Sequence, residues 1–167
     1  MEQKPTKVTK SGEFQEIPHD FEKGDKGMLS NNFRHNVDAK NRLFVPAKYR
    51  EELGETFVVS QSIRGNYLKI YSQAEWENYI APIKLLPRKT SEEALRFLIG
   101  NSIEVSPDGQ GRIIIPTTML QFASITKGTV IIGCGDYAEI WAEESYESSQ
   151  AQQDMEAMRQ ALEDCGL

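Results

Sequence analysis

The sequence predicts a mainly β protein with peripheral helices, an α+β chain built from two tandem copies of one small module. Three observations carry this. An internal repeat runs through the chain at a constant offset of 70 residues. Each copy contains short apolar or β-branched runs bounded by turn residues, which read as strands. Apolar residues at helical spacing fall in the segments that follow those strands.

The repeat is seen by aligning VDAKNRLFVPAKYREEL, from Val37, with PDGQGRIIIPTTMLQFA, from Pro107. Asp38 matches Asp108, Arg42 matches Arg112, and Pro46 matches Pro116. The match resumes where GNYLKIY, from Gly65, meets GDYAEIW, from Gly135. Any one of these pairs could be coincidence. A set of anchors and a second block at one offset is a repeat.

Each copy has the same local grammar. Leu43–Val45 and Ile113–Ile115 read as strands. Pro46 and Pro116 follow, and the fixed φ of proline suits the first turn of a helix. Helices are therefore expected over Ala47–Leu53 and Thr117–Ala123. Paired strands come next, Thr56–Ser60 with Tyr67–Tyr71 and Thr129–Ile132 with Ala138–Trp141. Gly65-Asn66 and Gly135-Asp136 suit the reversals between them. Ser72 and Glu75 form a capping box ahead of Trp76, Tyr79, Ile80 and Ile83. A further helix is expected over Glu92 to Ile99. From about Glu143 the chain turns helical again, with Met155, Met158 and Leu162 on one stripe. That stripe can pack on its own domain or make a subunit contact; spacing does not separate the two. The resulting division is a flexible tail over 1–27, a first module with appended helices over 28–100, a second module over 101–146, and a C-terminal helix over 147–167.

Composition narrows the class. The chain has 167 residues, 39% hydrophobic and 26% charged, ordinary values for a soluble domain. No apolar run approaches the roughly 20 residues that span a bilayer, and the N-terminus lacks the apolar core of a signal peptide. Residues 1 to 27 hold too few large apolar groups to offset the entropy of ordering. Cys134 and Cys165 form no CxxC and have no clustered histidines, so neither a metal site nor a disulfide framework is expected. A reducing, cytoplasmic setting follows. The net charge of −6 argues against a polyanionic partner, but its distribution does not. From Asp136 onward there are nine acids and one arginine. Between Phe33 and Arg50 stand five bases, Arg34, Lys40, Arg42, Lys48 and Arg50, against the single acid Asp38. Local potential, rather than the total, governs docking on phosphates.

The most specific feature is the turn D-x-x-x-R, present as DAKNR and DGQGR. An aspartate can accept a hydrogen bond from the backbone two residues on and so hold a turn. The fourth position needs left-handed geometry. Gly111 adopts it freely, and Asn41 is the next best residue. The arginine then leaves the turn at a defined place. From the residues alone two roles stay open. Asp38–Arg42 and Asp108–Arg112 can be ion pairs that lock the turn or join the copies. Alternatively the turn can aim Lys40 and Arg42 at a duplex.

An enzyme is not expected. There is no G-x-S-x-G, no P-loop and no metal-ligand cluster, and the two histidines are His19 and His35. His35 falls in an expected strand. Cys134, between Gly133 and Gly135, lacks a nearby group in sequence to activate it and is expected to be a buried thiol at a strand end.

These residues resemble the MraZ family of bacterial regulators with tandem AbrB-type modules. The resemblance runs from Met28 to about Tyr146. It rests on MLSNNFRHNVDAKNRLFVPAKYREELG, IYSQAEWENYI, RFLIGNSIEVSPDGQGRIIIP and GDYAEIWAEESYE. It implies a pseudo-symmetric unit of two swapped-hairpin β-barrel modules, assembled as a homo-oligomeric ring. It also implies binding of double-stranded DNA at short direct repeats, repression of the division and cell-wall gene cluster, and a place in the cytoplasm at the nucleoid. No cofactor, metal, small-molecule substrate or membrane is implied. The resemblance carries the family's functional roles onto Asp38, Lys40, Arg42, Asp108 and Arg112. The full set of expected DNA contacts is Arg34, Lys40, Arg42, Gln110 and Arg112, and Asp38, Asn41, Asp108 and Gly111 are expected to structure the turns. Asn41 stands where the family has Gly, Asn101-Ser102 where it has Gly-Ala, and Gln110 where a base would serve. Met28 falls at the family's usual first residue, so translation is expected to begin there. A competing expectation is an antitoxin-type interaction module, with the C-terminal stripe gripping a protein partner.

Overall fold

The computed structural model describes residues 6–8, 14–16 and 27–167. Within the segment read as a tail, β1 (Thr6–Val8) and β2 (Phe14–Glu16) pair in a small antiparallel ladder. The rest of that expectation lies outside the described residues. The first copy then runs β3 (Asn32–Asn36), β4 (Arg42–Phe44), α1 (Ala47–Leu53), β5 (Phe57–Gln61) and β6 (Leu68–Ser72). Helix α2 (Gln73–Ile80), a 3-10 turn (Ala81–Leu85) and α3 (Arg88–Gly100) follow. The second copy runs β7 (Ser102–Val105), β8 (Arg112–Ile114), α4 (Thr117–Phe122), β9 (Gly128–Gly133) and β10 (Tyr137–Ala142). Helices α5 (Glu143–Ala151) and α6 (Met155–Asp164) close the chain.

The copies exchange their first strands. The main sheet has six antiparallel strands in the order β3-β9-β10-β6-β5-β7. Strand β3 pairs with β9 of the other copy, and β7 pairs with β5. The two hairpins meet at the centre, where β10 pairs with β6. A separate two-stranded ribbon takes β4 from one copy and β8 from the other. The sheet is open, with β3 and β7 as its edges; the barrel closure implied by the resemblance is not among these ladders.

One core serves both copies. Leu43, Val45, Tyr49, Phe57, Leu68 and Ile70 pack with Ile113, Ile115, Ile131 and Ile140 in a single buried cluster. Leu43 and Ile113 sit opposite each other in the ribbon and are fully buried, so the ribbon's inner face rests on this core. Tyr49 is also fully buried; its hydroxyl donates to the carbonyl oxygens of Ser30 at 3.0 Å and Asn31 at 2.7 Å. Burial pushes that phenol up to about 12. The Ser30–Asn31 segment is held there by β9. Gly133 lets the backbone of Leu29 and Ser30 approach to where a Cβ would stand, 2.4 Å from the Ser30 nitrogen.

A smaller cluster covers the other face of the sheet. Val58, Tyr71, Trp76 and Leu98 are buried there, with Tyr79, Ile80 and Ile83 against them. Thus β5 is covered on both faces, and its apolar run does not alternate. Strand β10 does alternate, with Ala138, Ile140 and Ala142 inward. The capping box forms as expected, the Ser72 hydroxyl accepting from the Glu75 amide at 3.2 Å. Helix α3 begins at Arg88, four residues before the expected Glu92. Its first turn follows Pro87 and carries Arg88, Lys89, Thr90 and Ser91, so apolar periodicity could not reveal it. The segment read as one C-terminal helix holds parts of two. Asp154 starts the second, its carboxylate accepting from the Ala157 amide at 2.9 Å.

The expected buried thiol is corrected. Cys134 is exposed, just beyond β9, because the chain reverses there and leaves its side chain at the sheet margin. Partial desolvation, reinforced by the Glu139 charge, raises the thiol to about 11; Lys69, a basic neighbour that was not expected, opposes this more weakly.

Leu43 ties the ribbon to the core, so Leu43→Ala should cost about 2–5 kcal/mol of stability. Thermal or denaturant unfolding of the full chain measures this; a loss below about 1 kcal/mol would mean that the ribbon is not anchored through this residue.

Candidate nucleic-acid interface

Both D-x-x-x-R segments close as the sequence requires. The Asp38 carboxylate accepts from the amides of Lys40 and Arg42, each at 2.9 Å. Its second oxygen accepts from the Arg42 Nε at 2.6 Å. The Asn41 amide donates to the Asp38 carbonyl at 3.0 Å, and Asn41 takes φ 59°. The second turn repeats this. Asp108 accepts from the Gln110 amide at 2.9 Å, the Arg112 amide at 3.0 Å and the Arg112 Nε at 2.9 Å. Gly111 takes φ 78°. In each turn the arginine's own backbone N–H is the chief reason that the aspartate pKa is lowered. These carboxylates therefore favour the ionised form that pairs with the arginine.

Each turn docks on the other copy. Val45 donates to the Gly111 carbonyl, and Ile115 to that of Asn41, both at 2.9 Å. The Asn41 side-chain amide donates to Thr117 Oγ1 on α4 at 2.9 Å. Opposite, Arg50 of α1 donates through Nε to the Val45 carbonyl at 3.0 Å and lies over Gly111. The repeat mates of Thr117 and Arg50 are Ala47 and Leu120. So the Asn41 side chain meets a hydroxyl, and the bare Gly111 meets a guanidinium. The departure at Asn41 thereby has a structural partner.

The ribbon defines a surface between the turns. Residues directly opposite in an antiparallel pair share a face, as do alternate residues along a strand. Arg42 is opposite Ile114, and Phe44 is opposite Arg112. With Leu43 and Ile113 inward, the outer face consists of Arg42, Ile114, Phe44 and Arg112. Lys40 and Gln110 are exposed at the turn tips. The structure therefore brings together Lys40, Arg42, Gln110 and Arg112, four of the five sequence-predicted contacts. It pairs Arg34 differently: this β3 residue is bound by Glu143 and, at 3.3 Å, by Glu147 of α5. Its charge is matched within the chain.

Ile114 was missed, and Arg50 and His35 were named in the sequence without being assigned a contact. Arg50 is brought over Phe44, with its guanidinium 5.8 Å from the ring centroid, and His35 approaches the same ring at 5.0 Å. Ile114 stands on the outer face with 65% of its surface exposed. Period-2 alternation from the buried Ile113 could have found Ile114. Arg50 meets Phe44 and Val45 of its own copy, but nothing local could have placed it over Gly111 of the other. Among the described residues no group of three metal-ligating side chains is assembled, and no helix is long and apolar enough to cross a membrane.

Comparison with known proteins matches this twofold geometry. The family described as "MraZ protein, putative antitoxin-like" matches residues 28–97 and again residues 98–165. The chain belongs to the MraZ family. A relative from Thermoanaerobacter sp. (strain X514), named "Transcriptional regulator MraZ", is 38% identical over 144 residues, 84% of this chain and 100% of its own. One of the same name from Clostridium tetani (strain Massachusetts / E88) is 36% identical over 143 residues, 84% of this chain and 100% of its own. Another, from Caldanaerobacter subterraneus subsp. tengcongensis, is 39% identical over 122 residues, 72% of this chain and 85% of its own. Both MraZ matches contain one aspartate turn and one ribbon strand, so the ribbon exists only where the two matched regions meet.

Gly111→Ala should destabilise the chain by about 1–2 kcal/mol, the cost of left-handed backbone for a residue with a Cβ. Asn41→Gly should be milder, since glycine accepts that backbone and loses only the bond to Thr117. Paired melting curves compare the two, and a larger loss at Asn41 would contradict this ranking.

Proposed function

We propose that this chain is a DNA-binding transcriptional regulator that presents the β4–β8 ribbon to the major groove. The observation that carries the proposal is the ribbon's outer face, where Arg42 and Arg112 project from rigid turns beside Lys40 and Gln110. The major groove is about 12 Å wide and admits a two-stranded ribbon. The names of the relatives support the regulatory reading. Each arginine is held to its aspartate through Nε. That contact orients the guanidinium and leaves its Nη groups directed to a further acceptor. A guanine offers one in O6 and N7. Lys40 serves a phosphate, and Gln110, lacking charge, makes the second turn the weaker phosphate contact. Arg34 is assigned to holding α5.

So few cations neutralise few phosphates, and one chain alone binds weakly. Assembly supplies the remainder. Two different apolar patches are exposed: Leu85, Leu86, Phe97 and Ile99 beside and on α3, and Met155, Met158 and Leu162 on α6. Unlike patches on one chain suit a head-to-tail contact, and such contacts close into rings when the rotation allows. A ring engaging successive direct repeats gains about 10²–10⁴ in avidity. The resemblance extends the proposal to repression of the division and cell-wall gene cluster, at the nucleoid in the cytoplasm, with the exchanged strands as the swapped-hairpin module.

The test is a gel-shift titration across salt, using DNA upstream of the chain's own coding sequence. Lys40→Ala should lower affinity on all sequences alike and reduce the log–log salt slope by about 1. Arg42→Ala should relax sequence preference while melting close to the parent. A parent slope near zero would show that phosphates are not engaged.

Leu162→Glu should shrink the assembly seen by light scattering on a sizing column, with the fold intact. An unchanged mass removes α6 from the subunit contact, and a parent that runs as a monomer favours the antitoxin-type partner reading.

A further inference from the structure

An exposed isoleucine is ordinary by itself; the place of Ile114 is not. It lies directly across the ribbon from Arg42 and two residues along β8 from Arg112. Its repeat mate, Phe44, holds the equivalent place on β4 but is flanked by the His35 ring and the Arg50 guanidinium. Ile114 is 65% exposed. The outer face thus holds two arginines at diagonal corners, one flanked phenylalanine and one open β-branched side chain. The spacing from Ile114 to Arg112 is about 7 Å along the strand, roughly two base steps.

We propose that Ile114 is a specificity-determining residue that packs against the C5-methyl group of a thymine beside the base pair met by Arg42. This rests on the DNA reading above and sharpens it. Arginines recognise guanine, and in the major groove the thymine methyl is the apolar feature that an aliphatic side chain can contact. The two copies are then unequal readers. The second copy reads an apolar mark with Ile114, and the first covers its equivalent position with its own side chains.

The experiment separates this inference from the reading beneath it. A duplex of the DNA upstream of the chain's own coding sequence is made with thymidine, or with deoxyuridine at every thymidine position. Base pairing is kept and the methyl groups are removed. The parent should bind the thymidine duplex about fourfold more tightly, the worth of one buried methyl-sized group. Ile114→Ala should bring that ratio close to one, with melting and assembly unchanged. Single uridine replacements should then locate one dominant thymine per bound unit. Salt-dependent parent binding with no thymidine preference would overturn the role of Ile114 and leave the DNA reading standing. So would an Ile114→Ala variant that keeps the parent ratio, including one whose assembly shrinks, which would assign Ile114 to a subunit contact. Failure of the parent to bind either duplex at low salt would overturn both.

Discussion

The fold depends on one constraint: neither copy can finish its own sheet. Strand β3 is hydrogen-bonded to β9 across copies, and β7 to β5. Backbone donors and acceptors in a sheet must be matched, so each copy's hairpin requires the other copy's first strand. The β4–β8 ribbon has the same character, one strand from each, and it rests on the fully buried pair Leu43 and Ile113. A duplicated chain therefore folds as one core. The surface that carries Arg42, Phe44, Arg112 and Ile114 is the seam between the copies.

That seam explains how a small aspartate turn is held in one place. An exposed ion pair contributes little to stability by itself. Asp38 and Asp108 matter because each also accepts two backbone amides, which fixes the origin of the arginine. Each turn is then pressed against the opposite copy through Val45 and Ile115. Turn-locking and presentation of a cation, alternatives when only the residues are considered, become compatible. The Nε atom does the locking, and each arginine stays partly exposed on the ribbon's outer face.

The copies have diverged in matched pairs. Asn41 faces Thr117, whereas Gly111 faces Arg50. Phe44 is flanked by His35 and Arg50, whereas Ile114 is open. Helices α2 and α3 bury Trp76 and Leu98 against the sheet, whereas α5 and α6 have no buried residue. Symmetry is kept in the backbone and broken in the side chains, which lets one chain offer two different surfaces at each level.

Much of this was legible in the residues. The repeat, the strands, α1, the capping box of α2 and both turn geometries follow from local rules: β-branched runs, proline ahead of a helix, a hydroxyl three residues before an acid, and left-handed backbone at Asn41 and Gly111. These depend on neighbours in sequence, so sequence by itself determined them. Which strands pair, that β5 is covered on both faces, that Arg34 is matched by α5, and that Arg50 lies over the opposite turn were decided by tertiary structure alone. The physical reason is range: Arg34 and Arg50 meet partners that the exchange brings from the other copy, β5 gains its second cover from helices of its own copy, and no periodicity within a segment encodes either.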